Sequence, residues 1–199
     1  MAWRGTDPAR IDAAVITLDG DRLTACGTST GAEQVLRYRL TTDTSWVTTR
    51  LEVALSRAED GARRELDLRR DPDGSWSARR TVYDPGDWWF EDLELDELRG
   101  AEDVDLALCP LTNTMPVLRG GFLEASRRGE RLERTHTVAW VDLPHLTVEA
   151  SQQAYRSLPA TDDGAARVRY RSEGFEADLV LDADGLVLDY PGVAVRIDG

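Results

Sequence analysis

The chain has 199 residues, with 37 acidic side chains against 24 basic ones and a formal net charge of −13. All of the basic side chains are arginine, yet the acidic excess argues against a nucleic-acid partner and against docking on an anionic membrane by charge alone, since both need clustered positive charge. Two distant cysteines, Cys26 and Cys109, make neither a CxxC pair nor a disulfide framework, and no run of about 18 apolar residues marks a membrane span.

The opening "MAWRGTDPAR" lacks the apolar stretch of a signal peptide. With two reduced, buried thiols expected, a cytoplasmic protein is the reading. "AAVITLDGDRLTAC" then reads as strand, Asp-Gly-Asp turn, strand. The pattern recurs in "RLEVALSRAEDGARRELDLRR" around Glu-Asp-Gly, and in the next segment around Asp-Pro-Asp-Gly. Glycine beside Asp or Asn supplies the positive φ that tight hairpins need. In Trp46–Leu55, side-chain parity puts Val47, Thr49, Leu51, Val53 and Leu55 on one face and Trp46, Arg50 and Glu52 on the other. "DWWFEDLELDELRG" reads as a short helix or an irregular strand pair that carries three large rings.

"DVDLALCPLTNTMPVLR" (residues 103–119) starts as a strand with Asp103 and Asp105 on one face, then meets Pro110 and Pro116, neither of which can donate to a sheet ladder. The expectation is an Asn-centred corner in the meander, with Thr112, Asn113 and Thr114 either stapling a bend or forming a polar clamp at a cavity mouth. Farther on, His136 shares strand parity with Val138 and Trp140, and His145 follows Pro144 in a loop. "ASQQAYRSL" (residues 150–158) has room for one or two helical turns. "RVRYR" and "FEADLVL" alternate cleanly, the second ending in an Asp-Ala-Asp-Gly turn. Repeated turns at roughly 8–12-residue spacing point to an antiparallel meander, not to βαβ units. The predicted fold is all-β: one domain over 1–199, built as a large curled antiparallel sheet (a spiral β-roll or half-barrel) with little helix. Such a sheet must curl or close to protect its edges.

Three stretches resemble segments of the bacterial glycolipid-binding domain family, a former domain of unknown function. They are "DVDLALCPLTNTMPVLR", "AWVDLPHLTVEASQQAYRSL" and "FEADLVLDADGLVLDYPGVAVR". The resemblance implies a spiral β-roll, similar in outline to the half-barrels of bacterial lipoprotein carriers, and binding of a lipid or glycolipid. Around Cys109-Pro110-Leu111 and Val117–Gly121 the sequence departs from the family pattern.

The expected ligand-binding residues are Trp46, Arg50, Asp105, Thr112, Asn113, Thr114, Arg119, Trp140, Gln153 and Tyr155. Aromatic rings suit the apolar face of a sugar or lipid headgroup, and guanidinium suits hydroxyls or phosphate. "WWF" would equally serve as an apolar patch for a partner subunit. No catalytic motif, metal-ligand spacing or cofactor loop is recognisable, so no enzyme, no metal and no cofactor are expected. The leading reading is a non-enzymatic binding protein with a lipid or glycolipid in its hollow. Its alternatives are a structural module whose roll is filled by side chains, and a lipid or sugar-ester hydrolase using Asp103, Asp105 or His136. Monomer and homodimer both stay open.

Overall fold

The computed structural model describes residues 1–197. Eight strands come first: β1 (Ala2–Gly5), β2 (Arg10–Asp19), β3 (Arg22–Gly31), β4 (Gln34–Thr42), β5 (Thr48–Arg57), β6 (Arg63–Arg70), β7 (Trp76–Asp84) and β8 (Asp87–Glu94). The short β9 (Asp103–Leu106) leads into a 3-10 turn (Pro110–Asn113) and two small helices, α1 (Thr114–Gly120) and α2 (Phe122–Arg127). The chain then completes β10 (Glu133–Val141), β11 (Val148–Leu158), β12 (Ala166–Ser172), β13 (Phe175–Leu181), β14 (Val187–Tyr190) and β15 (Ala194–Arg196). All fifteen strands join one sheet in the order β8-β7-β6-β5-β4-β3-β2-β1-β15-β14-β13-β12-β11-β10-β9.

Acidic glycine turns set the hairpins. Two-residue loops link β2 to β3 and β12 to β13, and they require Gly20 (φ 56°) and Gly174 (φ 70°) in the left-handed region. The Asp182 carboxylate closes its own turn by accepting from the backbone N–H of Asp184 and Leu186 at 3.0 and 2.9 Å.

The sheet curls without closing. Its β9 end is tucked in against β5: the Thr48 N–H donates to the Glu102 carbonyl (2.9 Å), and the Val104 N–H donates to the Thr48 hydroxyl (3.2 Å). That end is therefore covered, while β8 is left as an edge. Both faces of β9 are enclosed. Val104 and Leu106 join the same apolar core as Leu36, Leu40, Leu51 and Leu68, and Asp103 on the other face is equally buried. Each buried leucine adds about 1.5–3 kcal/mol to stability. On the outer face, Arg79 stands opposite Asp92 and Arg169 opposite Asp178, in ion-paired cross-strand pairs.

Several expectations need correction. "ASQQAYRSL" is not helical: it lies in β11, and its inward side chains Gln153, Tyr155 and Ser157 are buried. The segment after Asp103 is not a corner in an antiparallel meander. β9 pairs parallel to β10, and Pro110–Arg127 forms the 3-10 turn and the two helices, whose side chains plug the curl. "DWWFEDLE" is the edge strand β8, followed by a 3-10 turn at Asp96–Leu98. The parity around β5 holds from Leu51 onward, but Thr48 is buried instead of Thr49, next to a register shift at Thr41/Thr42. Cys26 is exposed and Cys109 half-buried, so the pair of buried thiols does not exist. In β2 the alternation runs against hydropathy: Arg10 and Asp12 point inward while Ile11 and Val15 are 46% and 77% exposed. Among the described residues, no helix is long and apolar enough to cross a membrane.

Candidate functional site

The inward face of β9 to β11 carries polar groups where a core would normally be apolar. Register sets Asp103 opposite Val138 and Asp105 opposite Trp140, and it sets His136 opposite Gln153. The Asp105 carboxylate accepts from the Thr112 hydroxyl at 2.8 Å and from the Gln153 amide at 2.6 Å. The Tyr155 hydroxyl donates to Asn113 Oδ1 at 2.9 Å, and Asn113 Nδ2 reaches back to the Pro110 carbonyl at 3.4 Å. One hydrogen-bonded series thus fastens the 3-10 turn to β9 and β11, and the rings of Tyr170 (β12) and Tyr190 (β14) pack edge-on beside it, 6.0 Å apart. Burial pushes the Asp105 carboxyl up, and the Thr112 and Gln153 donors oppose the shift.

Beside this series lies a buried ion pair. Arg119, projecting from α1, grips Asp103 with both of its terminal nitrogens and also reaches Glu102 at 3.2 Å. Asp103 is 1% exposed. Burial acts to lower the basicity of Arg119, but Asp103 and Glu102 carry it above its ordinary value, so the guanidinium stays charged. His136 packs edge-on against Tyr155, and burial lowers its pKa against the pull of Asp103. Its Nε2 is buried and makes no hydrogen bond among the described residues, and neither does the Thr114 hydroxyl.

Two hollows flank the segment Ala107–Cys109. The smaller, of about 280 Å³, has Asp105 and Asn113 on its floor and Trp140, Tyr170, Phe175 and Tyr190 in its walls. The last three rings pack on one another with centroids 6.0–6.1 Å apart. The larger, of about 400 Å³, lies between β1–β4 and that segment and is lined mainly by apolar groups, among them Trp3, Leu36, Tyr38, Leu106, Leu143 and Pro144. Its polar lining is Ser29, Glu33, Gln34 and the pair of Arg10 and Asp12, the Arg10 Nε lying 3.1 Å from Asp12 with both side chains at least nine-tenths buried. Burial pushes the Asp12 carboxyl up, with Ser29 and Arg10 opposing. Cys109, half-buried, lines both hollows, and burial pushes its thiol up to about 12, far from thiolate chemistry.

Leu108 between the hollows holds φ 65°, a conformation that a bulky side chain adopts only when its surroundings enforce it. The enforcing group is Arg10, whose Nη2 donates to the Leu108 carbonyl at 2.6 Å and to the Val193 carbonyl at 3.4 Å. The Arg10 side chain in turn lies over Gly5, where a Cβ would stand 2.4 Å from its Nη1.

The family model described as "Putative glycolipid-binding" matches residues 1–196. The chain belongs to this family. No curated protein matches the sequence. Among solved structures, the chain is similar to a DUF1089 family protein from Pseudomonas aeruginosa. That likeness has 25% identity and a TM-score of 0.65, over 94% of this chain and 92% of the other.

In this member of the putative glycolipid-binding family, the curl brings together Asp105, Thr112, Asn113, Gln153 and Tyr155, with Trp140 at the small hollow. Arg119 stands next to them on Asp103, and Thr114 is buried at the start of α1. Trp46 and Arg50 are elsewhere. Trp46 sits half-buried in the β4–β5 loop at φ 64°, and Arg50 pairs with Asp67 and Glu52 in a groove with Arg37 and Arg79. His145 is exposed in its loop. On β8, Trp88 and Phe90 stack in the open with Tyr83 of β7, while Trp89 lies under Arg80. Sequence reasoning missed Arg10 and Asp12. The signal was available in "RIDAAV", where two charges occupy the i, i+2 positions of one strand face. It also missed Tyr170, Phe175 and Tyr190, which are far from β9 in sequence.

Proposed function

We propose that this protein binds an amphipathic lipid or glycolipid without turning it over, holding one acyl chain in the hollow beneath β1–β4. The family's description points to glycolipids, and the observation that carries the reading is the hollow itself. The hollow, partly open to solvent, measures about 400 Å³ and is distinguished from the protein's other clefts by its mainly apolar lining. That argues for an occupant and against a roll filled by its own side chains. An engineered apolar cavity of about 150 Å³ accepts benzene. By that ratio about 400 Å³ takes roughly 16 carbon-sized groups, enough for one acyl chain and too little for two. Apolar walls with a few placed polar groups are the usual composition of a small-molecule site.

The test is native mass spectrometry of gently purified protein, paired with melting curves in single-chain lipids. A ligand at about a hundred times its Kd stabilises the folded state by about 2.7 kcal/mol. That corresponds to roughly 5–10 °C in a chain of this size. A single-chain adduct and a shift of that order are expected for the wild type, and Leu36→Trp, which fills the hollow, should lose both. Bare wild-type protein whose melting no lipid changes would contradict the reading.

A further inference from the structure

The small hollow on the other side of Ala107–Cys109 makes no contribution to holding an acyl chain, yet it is the more chemically specific of the two. We propose that it is a carbohydrate subsite that takes a single pyranose ring, the headgroup of the amphiphile whose chain occupies the larger hollow. The proposal rests on the lipid-binding reading and adds where the headgroup lies and that it is a single ring.

Four observations carry it. The first is size: at about 280 Å³ the hollow falls just below the roughly 300–1,000 Å³ of sites for drug-sized ligands, so it suits one ring and not an oligosaccharide. The second is the walls. A pyranose presents flat C–H faces, and Trp140 and Phe175, backed by the buried Tyr170 and Tyr190, offer aromatic surface for them. The last three rings brace one another, with centroids 6.0–6.1 Å apart and planes inclined at 57–73°. The third is the floor. Asp105 is half-buried, and each of its oxygens has one donor, Thr112 or Gln153, leaving lone pairs for ligand hydroxyls. Asn113 beneath it is 3% exposed and braces the floor, its amide taken up by the Tyr155 hydroxyl and the Pro110 carbonyl. Hydroxyls are the donors such a floor wants, and an acyl chain would strand the carboxylate.

The fourth is continuity with the larger hollow. Ala107, Leu108 and Cys109 line both spaces. Arg10, in the wall of the larger one, holds the carbonyls of Leu108 and of Val193, and Val193 lines the smaller one. A glycoside lying across this braced strap would place its ring and its chain on opposite sides of Leu108.

The experiment is isothermal titration with octyl glucoside, octyl galactoside and octyl mannoside below their micellar concentrations. Octyl tetraethylene glycol and octyltrimethylammonium serve as headgroup controls. At least one hexoside should bind about tenfold or more tightly than the polyether, the worth of one or two hydrogen bonds to a charged group. Asp105→Asn should remove most of that advantage, read as the ratio of hexoside to polyether affinity in the same variant. Because Asp105 is part of a buried network, Phe175→Ala is the companion variant. Phe175 is 37% exposed and lies outside the hydrogen-bonded network, so its loss should weaken the hexoside several-fold while the variant still unfolds cooperatively and binds the polyether. Equal binding of hexosides and polyether, or a hexoside preference untouched by both variants, overturns the carbohydrate subsite while leaving lipid binding in place. Tighter binding of the ammonium than of every hexoside overturns it in favour of a cationic headgroup. Failure of every octyl amphiphile to bind overturns both readings.

Discussion

Replacing Arg119 with methionine removes a charge and keeps most of the side-chain volume, so it isolates what the guanidinium does for Asp103. In the native protein Asp103 is 1% exposed and receives both terminal nitrogens of Arg119. Removing one partner of a buried pair costs about 3–5 kcal/mol, because the remaining charge stays buried without compensation. With a urea slope of about 3 kcal/mol per molar, the upper end of the usual range, the midpoint should fall by about 1–1.7 M at pH 8. The deficit must depend on pH. Burial pushes the Asp103 carboxyl above its ordinary value of 3.8, and in Arg119→Met the guanidinium no longer opposes that shift. A raised carboxyl contributes stability that is fully present below the unfolded value and is lost as pH rises through the folded one. The variant should therefore approach the wild type near pH 4 and diverge from it toward pH 8. The double variant Asp103→Leu with Arg119→Met, which buries no lone charge, should regain most of the loss. A deficit below about 1 kcal/mol at pH 8, or one that is flat across this pH range, would refute the claim that α1 is anchored by a desolvated ion pair.

Asn113→Ala leaves the Tyr155 hydroxyl without its best acceptor and should cost about 1–3 kcal/mol in urea unfolding, while the larger hollow keeps its lipid by native mass spectrometry. At Asp67, burial pushes the carboxyl up, but Arg50 and Arg69 pull it down further, to about 2. Its stabilisation is therefore present above 3.8 and is lost as pH falls toward 2. Solvent screening limits this to under about 1 kcal/mol, so Asp67→Asn should be slightly less stable than the wild type at pH 5 and equal to it near pH 2, as measured by urea midpoints. Gly5→Ala puts a methyl where the Arg10 guanidinium lies and should release the Leu108 strap. The expected result is faster hydrogen exchange at residues 107–109 and weaker retention of a single-chain lipid.

Local chemistry made the hairpins readable. The turn at Gly20 and the Asp182-capped turn involve only neighbouring residues, and in β12 and β13 the alternation of Val168, Tyr170, Ala177, Leu179 and Leu181 with charged residues shows directly which face is buried. What was not readable depended on contacts across the curl. β11 hid its period because its inward residues are Gln153, Tyr155 and Ser157, polar groups satisfied only by partners on other elements. The 7- and 6-residue helices are too short to show a 3.6-residue repeat, and Pro116 sits in the first turn of α1, where a missing N–H costs nothing. The parallel pairing of β9 with β10 spans the whole helical insertion, so no turn signal announces it. The inverted strand β2 is the most telling case. Hydropathy would send Ile11 and Val15 inward, and the fold sends Arg10 and Asp12 instead. Local rules of this kind fail most often where a protein has a task beyond stability, and this failure lies in the wall of the larger hollow. Of the ten site residues expected from sequence, the five in the Asp105 series were placed together by the curl, while Trp46 and Arg50 went elsewhere because the shift at Thr41/Thr42 and the outward parity of β5 separate them from it.

The binding claim is tested most directly by locating a chain inside the protein. Crystals grown with an ω-bromoalkyl glycoside would report the bromine by its anomalous signal. The expected position is the hollow bounded by Leu36, Tyr38 and Leu106, with the glycosyl ring against Trp140 and Phe175 across the Leu108 strap. Bromine found only on the exposed Trp88–Phe90 surface of β8, or no bound glycoside at all, would contradict it.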